Sequence, residues 1–185
     1  MDIKDIVDQY NTGSFLKFHC AMEDAAFKEI LNNYDKKNYI CSACGACMLF
    51  EKIFSTFLAR HCAFPPNFKP AKNNLVSQLK YLKTTQNEID SGKENHGLSF
   101  KEITQKLTDH KFISNKEKID YNNFYDRYRN PIAHGLQSRL YKDIFGEPNN
   151  TFQMDVRYEE IYKKLSEIVI EKIYNIMFYK KLLKT

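Results

Sequence analysis

The fold is decided by residues 40–61, whose sequence is ICSACGACMLFEKIFSTFLARH. The apolar residues in this stretch recur every three or four positions, at Ile40, Ala43, Cys47, Phe50, Phe54 and Phe57. This spacing is typical of the buried face of an α-helix. The helix must end before residues 64–70, because the three prolines in that stretch forbid helical structure. The sequence therefore predicts one long core helix followed by a loop.

Helical spacing also occurs on both sides of the core helix. It predicts a short lead helix at residues 3–10, a helix at 15–30 that frays at 32–35, a helix at 75–89, a short helix after residue 99, a helix from 120 that runs on past 134 to about 145, and a long last helix at 156–183. Ser99 and Glu102 form a capping-box pattern at the start of the short helix. Strand-like alternation never extends beyond a few residues. We therefore expect an all-α fold, an antiparallel bundle of about five to seven helices with a long C-terminal helix.

Composition narrows the class of protein. The chain has 185 residues, of which 43% are hydrophobic, so we expect a single domain over residues 1–185 rather than a disordered chain. The net charge of +5 is compatible with RNA as a partner but smaller than a dedicated nucleic-acid-binding domain carries. The first residues lack the pattern of a signal peptide, and no apolar run approaches the roughly 20 residues that span a bilayer. The five cysteines are an odd number, unlike the even set of a secreted disulfide scaffold. These features predict a cytoplasmic protein with no membrane partner.

Residues 129–135, with the sequence RNPIAHG, carry the one arrangement that looks suited to chemistry. Pro131 suits the first turn of a helix, which would place Arg129 and Asn130 at a helix entrance, where free N–H groups favour anions. The planar guanidinium of Arg129 matches a phosphate. Histidine side chains such as that of His134 take up or release protons near neutral pH. Together these residue types indicate phosphodiester chemistry.

The six residues from Arg129 to His134 resemble the signature of the HEPN family, in which an Arg and a polar residue are followed a few residues later by a His. The resemblance implies a small all-helical, metal-independent endoribonuclease without a cofactor, of the kind found in toxin–antitoxin, abortive-infection and CRISPR-linked defence systems. It also implies a homodimer with the active cleft at the interface, RNA as substrate, and an antitoxin or other regulatory partner. In the branch paired with a nucleotidyltransferase antitoxin, a tyrosine commonly lies two residues after the His. Here that position is Leu136, which argues against this branch.

The resemblance assigns roles to the motif residues. Attack of the ribose 2′-hydroxyl on the adjacent phosphorus would leave a 2′,3′-cyclic phosphate and a 5′-hydroxyl. His134 would act as general base or acid, Arg129 would neutralise charge on the phosphate oxygens, and Asn130 would orient the imidazole or hold a phosphate oxygen. Arg127 and Tyr128 are candidates for RNA binding, because Tyr128 could stack on a base.

Two alternatives remain open for the motif. Arg129 and Asn130 could cap a helix beside a buried, satisfied His134, or the motif could bind RNA or nucleotide phosphates without cleaving them. Two His134 residues that face each other in an open basic cleft of a dimer would favour catalysis, and a His134 buried against its own chain would favour the structural interpretation.

The cysteines Cys41, Cys44 and Cys47 resemble a cluster-binding C-x-x-C-x-x-C pattern. In a helix, however, Cys41 and Cys47 lie about 9 Å apart along the axis, at about 1.5 Å per residue, too far apart to share one metal. We therefore expect Cys44, Cys47 and their small neighbours to be buried residues that allow another helix to approach closely, and we expect no metal site. A metal or redox role is the alternative.

Overall fold

The computed structural model describes residues 3–11, 21–61, 98–147 and 157–179. Within these ranges the chain forms seven helices and no strand, which confirms the predicted all-α fold. Helices α1, α2 and α3 span Ile3–Asn11, Ala21–Asp35 and Tyr39–His61. Helix α4 spans Phe100–Asp109. Helix α5 begins as Asn115–Phe124, widens into a π-helical turn at Tyr125–Arg129 and closes with Asn130–Ala133. Helix α6 spans Gln137–Phe145, and the long α7 spans Tyr158–Tyr174 with a π-helical extension at Asn175–Tyr179.

The chain divides into two compact units, one made of Met1–Phe50 and Phe124–Thr185 and the other of Glu51–Asn123. The boundaries fall inside α3 and α5. The motif at residues 129–135 belongs entirely to the first unit. The prediction of a single domain over residues 1–185 stays a prediction.

In the first unit, α2 and the beginning of α3 approach closely. A Cβ atom on Gly45 would lie 3.1 Å from Cγ1 of Ile30, and the hydroxyl of Ser42 donates to the carbonyl of Ile30 at 3.1 Å. Ala43 and Ala46 are fully buried beside them. This confirms that the small residues of the core helix allow another helix to come near.

Helix α7 supplies the long apolar face that the sequence predicted. The residues of this face that are buried are Tyr162, Leu165, Val169, Ile173 and Ile176. The hydroxyl of Ser166 donates to the carbonyl of Tyr39 at 3.1 Å and so links α7 to the first turn of α3.

In the second unit, aromatic rings surround the later part of α3. The ring of Phe54 lies 5.1 Å from that of Phe100 and 4.8 Å from that of Tyr121, at steep edge-to-face angles that aromatic pairs favour. The capping box between Ser99 and Glu102 is confirmed, because each residue's side chain binds the other's main-chain N–H. Ser114 and Glu117 form a second capping box at the start of α5, which the sequence analysis missed.

Two predicted helix boundaries are wrong. Helix α2 does not fray at residues 32–35 but continues to Asp35, because Lys37 adopts a positive φ of 61° and closes the helix with an Asn38 N–H bond to the carbonyl of Asn33. The helix that contains the motif does not run on to residue 145, since it ends at Ala133 and a new helix begins at Gln137. The predicted helix at 75–89 and loop at 64–70, together with the ends of other predicted helices at 12–20, 148–156 and 180–183, lie outside the described residues.

Among the described residues, the stretch Tyr39–Leu58 of α3 is long and apolar enough to cross a membrane by length and composition. The expectation that no apolar run approaches this length is therefore wrong by this criterion. Half of the stretch is buried inside the protein. The cytoplasmic location and the lack of a membrane partner stay predictions.

Candidate functional site

The first half of the motif lies inside a continuous helix. Arg129 and Asn130 both have right-handed helical backbone angles, and the Asn130 N–H donates to the carbonyl of Tyr125, five residues earlier. The prediction that these residues stand at a helix entrance is wrong, and with it the expected anion site on free N–H groups. In a regular α-helix the ring of Pro131 would clash with the carbonyl four residues before it. The wider π-turn at Tyr125–Arg129 directly precedes Pro131 and accommodates it within the helix.

The second half of the motif is a helix-ending turn. His134 follows the last helical residue, and Gly135 adopts a left-handed φ of 64°. The Gly135 N–H donates to the carbonyl of Ile132 at 3.3 Å, and the Leu136 N–H donates to the carbonyl of Pro131 at 2.8 Å. These two bonds form a Schellman motif, which usually requires glycine at the left-handed position. The glycine directly after His134 was the sequence signal that the helix ends there.

The turn leaves His134 exposed. Every residue from 133 to 139 is exposed, so the imidazole lies in the middle of an open surface segment. Its main chain is nevertheless fixed, because the His134 N–H donates to the carbonyl of Asn130 at 3.2 Å. Asn130 and His134 are therefore connected through a backbone hydrogen bond, with an accessible imidazole at the end of the helix.

Arg129 lies half-buried on the helix before the turn. Its guanidinium carbon lies 5.3 Å from the centre of the Tyr125 ring, a cation–π distance. The guanidinium also lies near Cys47 of α3. Burial and the neighbouring Cys44 thiol raise the pKa of Cys47, and the positive charge of Arg129 opposes that rise. The guanidinium of Arg129 thus lies against an aromatic ring and is near enough to the core helix for its charge to act on Cys47.

Arg127 connects α5 to α6. Its Nη2 donates to the carbonyl of Asp143 at 2.7 Å, its Nε lies 3.6 Å from Oδ1 of the same residue, and its guanidinium carbon lies 5.3 Å from the centre of the Tyr128 ring. The structure thus gives Arg127 an intramolecular role, and RNA binding by this residue stays a prediction.

Tyr128 is only 9% exposed and packs on Phe124 at 4.9 Å between ring centres. The burial of the ring favours packing over stacking on a base, and RNA binding by Tyr128 stays a prediction.

Sequence reasoning missed a polar cluster close to the turn. The hydroxyl of Tyr162 on α7 has hydrogen bonds with Tyr158 and with Gln137, the first residue of α6, and lies near the Cys44 thiol of α3. Burial and the bond with Tyr158 raise the pKa of Tyr162 to about 12, and the bond with Gln137 opposes the rise. Because the cluster joins three helices far apart in the chain, no local spacing signals it.

The three cysteines of the core helix lie where the helical pattern placed them. Cys41 is exposed, Cys44 is half-buried and Cys47 is buried, and all three are free thiols. Across residues 3–11, 21–61, 98–147 and 157–179, no group of three or more His, Cys, Asp and Glu side chains could hold a metal ion.

Comparison with known proteins adds no relative. No protein-family model matches the chain, and neither a curated protein nor a solved structure matches it. The resemblance to the HEPN family therefore depends on the motif alone.

Proposed function

We propose that the protein is a metal-independent endoribonuclease of the HEPN type, acting in a toxin–antitoxin, abortive-infection or other defence or stress role. One observation carries the proposal: His134 is open to solvent at a helix end whose backbone is fixed, five residues after a half-buried arginine. General acid–base catalysis requires a titratable group that can reach the substrate, and an exposed imidazole meets that requirement.

The structural alternative for the motif loses support for two reasons. Arg129 makes no side-chain capping bond, and Asn130 has the backbone angles of a residue within a helix. His134 is exposed rather than buried against its own chain. The pair therefore does not cap a helix beside a satisfied histidine.

The proposed reaction uses each residue of the motif. His134 takes the proton of the ribose 2′-hydroxyl or gives one to the leaving 5′-oxygen, and the 2′-oxygen attacks the adjacent phosphorus to give a 2′,3′-cyclic phosphate. Arg129 neutralises the charge that develops on the phosphate oxygens. The Tyr125 ring limits the freedom of the guanidinium, which lowers the entropy lost when the phosphate binds. Asn130 holds a phosphate oxygen or orients the imidazole.

The reaction needs an acid and a base, and each chain supplies one histidine in this motif. In the proposal a second copy of the chain brings its own motif to the same cleft, so that His134 of each copy takes one of the two roles. RNA is the substrate, and an antitoxin or another regulatory protein restrains the activity.

The test is cleavage of total cellular RNA by the purified protein in EDTA, next to His134→Ala and Arg129→Ala. His110→Ala serves as the matched control, because His110 lies at the end of α4 in the other unit. We expect cleavage with cyclic-phosphate ends by the parent and by the control, and a loss of at least a hundredfold in the two motif variants, as is typical of general acid–base groups and charge stabilisers.

Two outcomes would contradict the proposal. Equal cleavage by all four proteins would mean a contaminating nuclease. RNA binding without cleavage, weakened by Arg129→Ala, would establish the binding module instead.

A further inference from the structure

Two of the free thiols lie one helical turn apart at the start of α3. Cys41 is exposed and Cys44 is half-buried. Burial raises the pKa of Cys44 first, and the neighbouring Cys41 thiol raises it further. The proposed ribonuclease function uses neither residue.

The helix brings the two residues within the range of a disulfide. Positions three apart in an α-helix have Cα atoms about 5 Å apart, and disulfides join Cα atoms that are about 4.4–6.8 Å apart. The Cβ atoms start at about 5–6 Å and must approach to about 3.8 Å. The turn that contains them must therefore tighten towards a 3₁₀ geometry, which is common at helix termini. The Ser42 N–H donates to the carbonyl of Asn38 at 3.0 Å, so Cys41 lies in that terminal turn.

We propose that Cys41 and Cys44 form a reversible redox pair that hydrogen peroxide oxidises to an intrahelical disulfide. The proposal goes beyond the proposed ribonuclease function and does not depend on it. The sulfur of Cys41 attacks one peroxide oxygen, the O–O bond breaks, and a sulfenic acid and water result. The sulfur of Cys44 then attacks the sulfenic sulfur, the S–O bond breaks and a second water leaves. The two thiols lose two electrons in all, which reduce one peroxide to two waters.

The burial of the three thiols sets the order in which they react. Cys41, being exposed, is the thiol that peroxide reaches first, and Cys44 is the thiol that closes the bond. Cys47 is 1% exposed and so is shielded from the oxidant. A disulfide that strains its helix and lies partly at the surface is easily reduced, which makes the pair reversible.

The disulfide would change the surroundings of the motif. Cys44 lies near the Tyr162 hydroxyl, which has a hydrogen bond with Gln137, three residues after His134. Tightening the turn from Cys41 to Cys44 would move the sulfur of Cys44 relative to this hydroxyl.

The test uses the full chain with Cys20→Ser and Cys62→Ser, so that the only thiols are Cys41, Cys44 and Cys47. The protein is treated with hydrogen peroxide, quenched with an alkylating reagent under denaturing conditions, and weighed intact. We expect a species that carries one alkyl group, in which two thiols are protected from alkylation and the protein itself is lighter than the reduced protein by two hydrogen atoms. After reduction with dithiothreitol, all three thiols should be alkylated.

Single variants in the same background identify the pair. The protected species should persist in Cys47→Ala and disappear in Cys41→Ser and in Cys44→Ser, with circular dichroism confirming that each variant is folded. Stable sulfinic acid at Cys41 in the parent, disappearance of the protected pair in folded Cys47→Ala, or no oxidation of the parent would each overturn the proposal.

Discussion

Arg127 donates from Nη2 to the carbonyl oxygen of Asp143 at 2.7 Å, and this bond links α5 to α6 across the motif turn. The neighbouring contact of its Nε with Oδ1 of Asp143 is long, at 3.6 Å, and about half of the Arg127 side chain is exposed. The hydrogen bond to the carbonyl therefore carries more of the link than the ion pair does. Arg129, two residues later, points its charge instead towards Tyr125 and Cys47.

The two arginines should respond differently to removal. Arg127→Ala should lower the free energy of unfolding by about 1 kcal/mol, because one partly exposed hydrogen bond to a charged donor is lost. RNA cleavage per folded molecule should fall far less than in Arg129→Ala. Urea denaturation and the EDTA cleavage assay measure the two effects. A full loss of cleavage in stable Arg127→Ala would instead give this residue a direct role on RNA.

Replacement of Gly135 by any residue that has a side chain should destabilise the protein. The Gly135 φ of 64° lies in the left-handed region, while a Cβ atom placed there would meet nothing within 4 Å. Gly135→Ala should therefore lower the free energy of unfolding by about 1 kcal/mol through backbone strain alone. Gly135→Asn should lose less, because asparagine tolerates this conformation better. Urea denaturation tests the prediction, and equal stability of the parent and Gly135→Ala would contradict the left-handed turn.

Replacement of Lys111 by glycine should have the opposite effect on stability to replacement of Gly135 by alanine. Lys111 has a φ of 62°, with its N–H bonded to the carbonyl of Thr108 and the Phe112 N–H bonded to that of Leu107, the same turn that Gly135 forms. A lysine there carries the strain that glycine avoids. Lys111→Gly should raise the free energy of unfolding by about 0.5 kcal/mol, since relief of strain exceeds the extra entropy of the unfolded chain. A matched change at the exposed Lys101, inside α4, should instead destabilise the protein.

The sequence predicts well what depends on local spacing. The buried face of α3 from Ala43 onwards, the buried face of α7 and the capping box at Ser99 follow from periodicity and from a four-residue pattern, and the structure confirms them. Ile40, which the same spacing placed on the buried face of α3, is 44% exposed, so that part of the prediction is wrong. The sequence predicts less well the places where two backbone conformations are compatible with the same residue. Pro131 is compatible with a first helical turn and with a helix interior relieved by a π-turn, and only packing of the whole unit selects the second.

The end of α2 shows the same limitation. This helix ends just before Lys37, a lysine in the left-handed conformation, where the usual glycine signal is missing. The cluster of Cys44, Gln137 and Tyr162 lay beyond sequence reasoning for another reason, since three separate helices supply its members.

Alkaline pH should destabilise the protein through its buried tyrosines. Burial raises the pKa of Tyr162 to about 12, and burial, with nearby carboxylates, raises the pKa of Tyr10 and Tyr121 further. Tyrosine in an unfolded chain has a pKa of about 10. Above that pH the unfolded state releases protons that the folded state keeps, so the stability is fully present below pH 10 and is lost as the pH rises towards 12 and beyond. Thermal unfolding followed across this range should show the decline, and Tyr162→Phe should show a shallower one between pH 10 and 12. An unchanged slope in that variant would contradict the raised pKa.

The proposed ribonuclease needs two copies of His134 in one cleft, so its activity should depend on protein concentration. If each chain supplies one of the two proton-transfer groups, the rate per chain should fall on dilution in proportion to the fraction of dimer. Sedimentation measures that fraction in the same buffer, and cleavage in EDTA measures the rate. A protein whose rate per chain stays constant while the dimer dissociates would need both groups within one chain. Arg129 and His134 would then have to act with a second acid or base that the motif does not contain, and the two-copy mechanism would be wrong even if His134→Ala were inactive.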